Sequence, residues 1–214
     1  MTQNTPAEFL AAVDPPLVAI LRGIVPDEAE AIGQVLIGAG FRMIEVPLNR
    51  PFAVECIRRL ARIAPPEVWV GGGTMLTLDD VDHVREAGGR LMVAPNCDPG
   101  IIAHAKASGL LCAPGVATPT EAFTALRAGA HALKLFPAES IGIAGLKAFK
   151  SVLPRGVPLW PVGGVTAPSL ASWVDAGATG FGIGSQLFTP GMTPKDVAAS
   201  AHAFVAAWHA RAAR

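Results

Sequence analysis

One unit recurs along the whole chain: a short apolar run, a glycine-rich or polar turn, a helical stretch that closes on glycine, and then the next run. The runs are Leu17–Arg22, Met43–Leu48, Val68–Gly71, Arg90–Ala94, Leu110–Ala113, Ala132–Phe136, Pro158–Val162 and Gly180–Ile183, with starts 20 to 26 residues apart. That spacing is the length of a compact strand–helix unit. The helix ends repeat as well, as Gly38-Ala39-Gly40, Ala87-Gly88-Gly89, Ser108-Gly109, Ala128-Gly129-Ala130 and Ala176-Gly177-Ala178. Glycine takes the left-handed conformation that ends a helix without Cβ strain, so the chain can turn at once into the next strand. Helix starts are marked by acids in Asp27-Glu28-Ala29-Glu30, by a capping pattern in Thr77-Leu78-Asp79-Asp80, and by proline in Thr118-Pro119-Thr120-Glu121 and Ala167-Pro168-Ser169.

Eight such units in 214 residues predict an α/β fold, a single (β/α)8 TIM barrel. An open, doubly wound sheet of five or six strands would leave two or three runs unplaced. The hydrophobic content of 51% suits parallel strands buried on both faces. Pro6–Val13 is expected to add a short N-terminal helix that plugs the barrel bottom. Lys195–Arg211 is expected to be the final helix, with Val197, Ala201, Phe204, Val205 and Trp208 on one face. Every Pro/Gly-rich stretch is turn-sized, so residues 1–214 read as one domain.

The formal net charge is zero, so no basic field recruits nucleic acid or an acidic membrane surface. A small anion would have to be held locally, by backbone N–H groups or by one arginine. Apolar stretches break well before the roughly 20 residues that span lipid. The first residues lack a basic region followed by an apolar run, so no secretory leader is expected. Cys56, Cys97 and Cys112 have neither metal-site spacing nor an even count, which reads as reduced thiols in a cytoplasmic protein. None of the five histidines pairs with another ligand at metal spacing, so neither metal nor cofactor is expected.

In such a barrel the chemistry belongs at the C-terminal ends of the strands. Lys134 stands in the middle of Ala132-Leu133-Lys134-Leu135-Phe136, where a charge is costly. Period-two alternation puts Lys134 and Phe136 on one face and the two leucines on the other. If the leucines pack against helices, Lys134 points inward. It is then either a structurally paired lysine or an amine kept neutral by desolvation, ready to attack a ketone. Glu45, in Met43-Ile44-Glu45-Val46-Pro47, poses the same choice between an ion pair with Arg22 or Lys134 and a general acid/base. Arg22 ends the first run and could clamp a carboxylate or pair with Glu45. Gly163-Gly164 follows the seventh run and Gly184-Ser185 the eighth, where exposed N–H groups make an anion site. Each turn alone is weak; both at the expected strands favour phosphate. Gly71-Gly72-Gly73-Thr74 follows the third run, where Thr74 could bond a substrate oxygen. Pro95-Asn96 after the fourth faces the same cavity.

These residues carry a resemblance. The chain is similar to the class I 2-keto-3-deoxy-6-phosphosugar-acid aldolases from about Leu17 to the final helix. The likeness rests on Leu17-Val18-Ala19-Ile20-Leu21-Arg22-Gly23-Ile24, Ile44-Glu45-Val46-Pro47-Leu48-Asn49, Gly71-Gly72-Gly73-Thr74, Ala94-Pro95-Asn96, Cys112-Ala113-Pro114-Gly115, Leu133-Lys134-Leu135-Phe136-Pro137-Ala138-Glu139, Val162-Gly163-Gly164-Val165 and Gly182-Ile183-Gly184-Ser185, in that order. The resemblance implies Lys134 as the Schiff-base residue and Glu45 as the proton carrier. It places Arg22 and Thr74 at the keto-acid end, and Gly163, Gly164, Gly184 and Ser185 at the phosphate. Pro95, Asn96, Phe136 and Val162 are expected as further substrate contacts. It also implies cleavage of a phosphorylated keto sugar acid to pyruvate and glyceraldehyde 3-phosphate, no cofactor, and a homo-oligomer, commonly a trimer.

Two departures bear on the substrate. Enzymes acting on the phosphogluconate-derived acid typically carry Thr-Leu-Arg where this chain has Pro47-Leu48-Asn49, and Thr-Gly-Gly where it has Val162-Gly163-Gly164. Losing that hydroxyl changes which C4 configuration can be hydrogen-bonded, and so favours the galactonate-derived epimer. Gly72 stands where alanine is usual, which is expected to add flexibility beside the carboxylate site. Competing expectations are the C4-epimeric substrate, 4-hydroxy-2-oxoglutarate, a phosphosugar epimerase, or a barrel that binds a phosphorylated ligand without turnover.

Overall fold

The structure is a computed structural model and describes residues 4–210. Arg211, the expected end of the last helix, lies outside them. In chain order the elements are α1 (Pro6–Ala12), β1 (Leu17–Ile20), α2 (Pro26–Ala39), β2 (Met43–Pro47), α3 (Ala53–Ile63), β3 (Trp69–Gly73), α4 (Leu78–Glu86), β4 (Leu91–Val93) and α5 (Pro99–Ala107). There follow β5 (Leu111–Ala113), β6 (Gly115–Val116), α6 (Pro119–Ala128), β7 (Leu133–Leu135), α7 (Ala138–Val152) and β8 (Leu159–Pro161). A 3-10 turn at Ala167–Ser169, α8 (Leu170–Asp175), β9 (Phe181–Ile183) and α9 (Pro194–Ala210) complete the described residues.

Every strand pairing is parallel, but the strands form two sheets rather than the expected single eight-stranded one. Six strands run β5-β4-β3-β2-β1-β9, and three run β6-β7-β8. The first break falls at Pro114, just past the end of the expected fifth run. Pro114 has no N–H to give to a ladder and separates β5 from β6, a short strand beyond the expected run. Its carbonyl still accepts from the Lys134 N–H at 2.9 Å. At the other seam a single bridge joins Val162 to Gly182.

Strand ends shift by a residue or two from expectation, and one shift matters. β3 continues through Gly71, Gly72 and Gly73, in register with Glu45, Val46 and Pro47 of β2. The strand runs two residues past its expected end at Gly71, and glycine is needed at all three positions because their neighbours occupy the side-chain space. A Cβ on Gly71 would stand 2.1 Å from the Leu91 carbonyl oxygen, and one on Gly73 would stand 1.9 Å from Glu45 Oε2. Gly72 faces the other way: its Cβ would meet Val84 of α4 at 2.7 Å and the Met75 sulfur at 2.8 Å. Gly72 thus has a packing reason of its own, the close approach of strand and helix.

The helices begin and end by the devices legible in the sequence. Thr77 Oγ1 accepts from the Asp80 N–H at 3.1 Å while Asp80 Oδ2 accepts from the Thr77 N–H at 2.9 Å. Gly40 and Gly129 close α2 and α6 at φ 108° and 102°, a conformation that strains any residue with a Cβ.

Two apolar layers follow from the alternation along the strands. Leu17, Ala19, Ile44, Val70, Met92, Cys112, Leu133 and Leu159 pack outward with the helices. Val18, Met43, Trp69, Leu91, Val93, Leu111, Ala113, Ala132 and Trp160 pack together on the inner side. Phe9 of α1 belongs to that inner cluster, with its ring stacked on Trp69 at 4.0 Å between centroids. Arg90 lies 3.6 Å from the Trp69 ring. The N-terminal helix thus covers the inner layer, as expected of a plug. No helix among the described residues is long and apolar enough to cross a membrane.

Candidate active site

The inward face of each strand carries the site. Lys134 shares its parity with Ala132, and Glu45 with Met43, so both side chains project to the inner side. They are the two charged side chains buried among the described residues, 6% and 2% exposed.

Two hollows that share three lining residues lie along this inner face. A deep one of about 10 Å³ is lined by Val18, Glu45, Val93, Ala113, Lys134 and Trp160, with Ile20, Val162 and Gly182 at its upper rim. It has room for about one water molecule. The same Ile20, Val162 and Gly182 form the base of a larger cavity of about 290 Å³. The strands show how the two are stacked. Along β1 the inward residues run Val18 to Ile20 to Arg22, from the deep hollow to the larger cavity. Trp160, Val162 and Gly164 repeat this beside β8, as do Lys134 and Phe136 beside β7. The larger cavity therefore lies at the C-terminal ends of the strands, and the lysine and glutamate lie one layer below it. Gly182 is needed at the join, since a Cβ there would approach Val162 Cγ2 to 2.7 Å.

Burial dominates the electrostatics. It pushes the Glu45 carboxyl above its ordinary range, opposed first by Lys134 and then by Arg22. It pulls the Lys134 amine below its ordinary range, opposed by Glu45 and assisted by Arg22. Both shifts favour neutral forms. Neither residue enters an ion pair among the described residues, and Glu45 Oε2 is buried with no hydrogen-bond partner there. A buried carboxyl oxygen without a partner is costly for stability and marks a position held for another purpose. Lys134 Nζ lies 4.9 Å from the Phe136 ring centroid.

Arg22, Phe136, Val162, Gly163, Gly164, Gly184 and Ser185 all line the larger cavity. Arg22 does not pair with Glu45. Its Nη1 donates to Asn49 Oδ1 at 3.0 Å. Gly163 and Gly164 both have positive φ, 109° and 64°. No backbone carbonyl among the described residues takes the N–H of Gly164, Ser185 or Gln186. Thr74, Pro95 and Asn96 stand at the ends of β3 and β4 but are not in the wall of either hollow. Thr74 is nevertheless held at φ 53°, a conformation rare for a residue with a branched Cβ. Pro95 presses its carbonyl on Gly115, where a Cβ would stand 2.3 Å from the oxygen.

Glu139 and Gln186 were not expected at the site, and Asn49 was marked only as part of the Pro47-Leu48-Asn49 departure. Asn49 ends the Ile44–Asn49 motif, Glu139 ends the Leu133–Glu139 motif, and Gln186 directly follows Ser185. Their polar chemistry at strand ends was the available signal. Among the described residues no cluster of His, Cys, Asp or Glu is arranged to hold a metal ion.

Comparison with known proteins gives the family and the fold. The family described as KDPG and KHG aldolase matches residues 12–202. A probable 2-dehydro-3-deoxy-6-phosphogalactonate aldolase of Rhizobium meliloti is 43% identical over 201 residues, covering 94% of this chain and 95% of its own. The 2-dehydro-3-deoxy-6-phosphogalactonate aldolase of Escherichia coli is 45% identical over 193 residues, covering 90% and 94%. A solved structure described as native KDPGal superposes with a TM-score of 0.92 at 43% identity, covering 94% of this chain and 98% of that one.

Proposed function

The chain belongs to the KDPG and KHG aldolase family, and from that premise we propose that it cleaves 2-dehydro-3-deoxy-6-phosphogalactonate to pyruvate and D-glyceraldehyde 3-phosphate through an imine on Lys134. One observation carries the reading. The two buried charged side chains among the described residues are an amine and a carboxyl, both shifted toward neutrality and both facing one small hollow.

The chemistry follows from that pair. The neutral Lys134 amine adds to the C2 ketone, and the carbinolamine loses its hydroxyl as water, with Glu45 supplying the proton. The resulting iminium withdraws the electron pair when the C3–C4 bond breaks. Glu45, now a carboxylate, takes the proton from the C4 hydroxyl as the aldehyde forms. Glyceraldehyde 3-phosphate leaves. Glu45 returns the proton to C3 of the enamine, and hydrolysis releases pyruvate and restores the amine.

The larger cavity holds the rest of the substrate. Gly163, Gly164, Gly184 and Ser185 are read as the phosphate site, supported by N–H groups that no backbone carbonyl takes. Arg22 and Thr74 are read as holding the keto-acid end, with Pro95, Asn96 and Phe136 as flanking contacts. Asn49 joins them by orienting the Arg22 guanidinium.

The two sheets are read as one closed eight-stranded barrel, with β5 and β6 as a single strand broken at Pro114. The Val162–Gly182 bridge supports closure at the opposite seam. The whole chain is read as one catalytic domain. The enzyme is placed in the cytoplasm, where Cys56, Cys97 and Cys112 stay reduced, and assembled as a trimer, which light scattering would test.

Val162 separates the two epimers. It is 7% exposed and borders both hollows, so it lies where the reacting carbons pass between phosphate site and lysine. It offers no hydroxyl to the C4 oxygen. Steady-state cleavage of both C4 epimers, followed by pyruvate release, tests the assignment. The galactonate-derived acid is expected to have the higher kcat/KM, and a preference for the gluconate-derived acid would overturn it.

A further inference from the structure

Glu139 occupies the first turn of α7, and its side chain lies flat across the Gly163–Gly164 turn. A Cβ on Gly163 would stand 2.3 Å from Glu139 Oε2, and one on Gly164 would stand 2.6 Å from its Cγ. The two glycines are thus required twice, once by backbone conformation and once by the acid packed on them. The carboxylate is exposed to the larger cavity and makes no hydrogen bond or ion pair among the described residues. It therefore does not brace the turn by bonding it. Among the described residues Arg22 is the one basic and Glu139 the one acidic residue of the cavity wall, so these residues give it no net charge. A site built only to hold an anion would not set an unpaired carboxylate on its anion-facing turn.

We propose that Glu139 sets a like charge beside the phosphate site, which weakens the hold of the Gly163–Gly164 turn on a phosphoryl dianion and so speeds departure of the phosphorylated product. This rests on the phosphate assignment made above. Coulomb repulsion between a carboxylate and a dianion a few ångströms apart across water amounts to a 3- to 10-fold effect, roughly, on affinity. The effect falls as salt screens it.

The test compares the intact enzyme with Glu139→Gln and Glu139→Asp, using the phosphorylated substrate, the same keto acid without phosphate, and glyceraldehyde 3-phosphate as product inhibitor. In Glu139→Gln, KM for the phosphorylated substrate and the inhibition constant of the product are expected to fall about 3- to 10-fold at low salt. Both gains should shrink at high salt, while KM for the unphosphorylated acid stays within about twofold. Glu139→Asp keeps the charge and should stay close to the parent. Unchanged or raised KM for the phosphorylated substrate in Glu139→Gln would overturn the proposal. If the parent enzyme itself does not distinguish the phosphorylated from the unphosphorylated acid, the phosphate assignment fails instead.

Discussion

Gly73 and Glu45 compete for one volume: a Cβ on Gly73 would stand 1.9 Å from Glu45 Oε2. Glu45 is in register with Gly71, so its side chain leans two residues along β3 to reach the space that Gly73 leaves. Gly73→Ala should expel the carboxyl from its place beside Lys134. The expected result is a kcat lower by about 100-fold, the smaller end of what a positioned acid/base contributes. Overpacking should cost about 1–3 kcal/mol of stability, read as a lower Tm. A variant with parental kcat would show that the carboxyl position is immaterial.

Lys134→Met separates chemistry from stability. Methionine fills a similar volume and removes a desolvated amine, so activity should fall by more than about 10⁴-fold while Tm holds or rises. Thermal denaturation and cleavage rates check both halves. A large loss of Tm would mean that the amine holds the fold together.

Stability should depend on pH through Glu45 in a defined direction. Its carboxyl titrates above the ordinary range in the folded protein, so the folded state binds a proton that the unfolded state has released. That favours folding below the unfolded pKa of about 4.5 and is lost as pH rises through the raised folded value. The Tm of Glu45→Gln should therefore gain on that of the parent as pH increases across this window. A constant difference in Tm would contradict the burial of the carboxyl.

Val162→Thr should place a hydroxyl at the join of the two hollows. The expected outcome is a kcat/KM ratio shifted by about tenfold toward the gluconate-derived epimer, measured with both substrates under one condition. An unchanged ratio would move the basis of C4 selectivity elsewhere.

Much of this was legible in the residues. Lys134 and Glu45 stand out because a charge inside an apolar run has few uses, and strand parity then dictates that both face inward. Helix ends were readable from Gly40 and Gly129, since little else takes that backbone angle. What escaped reading depends on contacts between distant segments. The third strand was expected to end at Gly71, because the Glu45 carboxyl that demands glycine at position 73 lies elsewhere in the chain. The split at Pro114 was hidden by an apolar run that ended just before it. Arg22 could not be assigned to Asn49 from spacing, as a guanidinium can reach any acceptor on the adjoining strand end. Thr74, Pro95 and Asn96 sit at the right strand ends, yet strand position alone does not determine which residues line a cavity.

The central claim is that Lys134 bears the reacting amine. Incubating the enzyme with pyruvate and borohydride, then mapping the modified peptide by mass spectrometry, tests it most directly. The account predicts one reduced pyruvate adduct, on Lys134, absent when borohydride is omitted and absent in Lys134→Met. Trapping on another lysine, or none during active turnover, would contradict it.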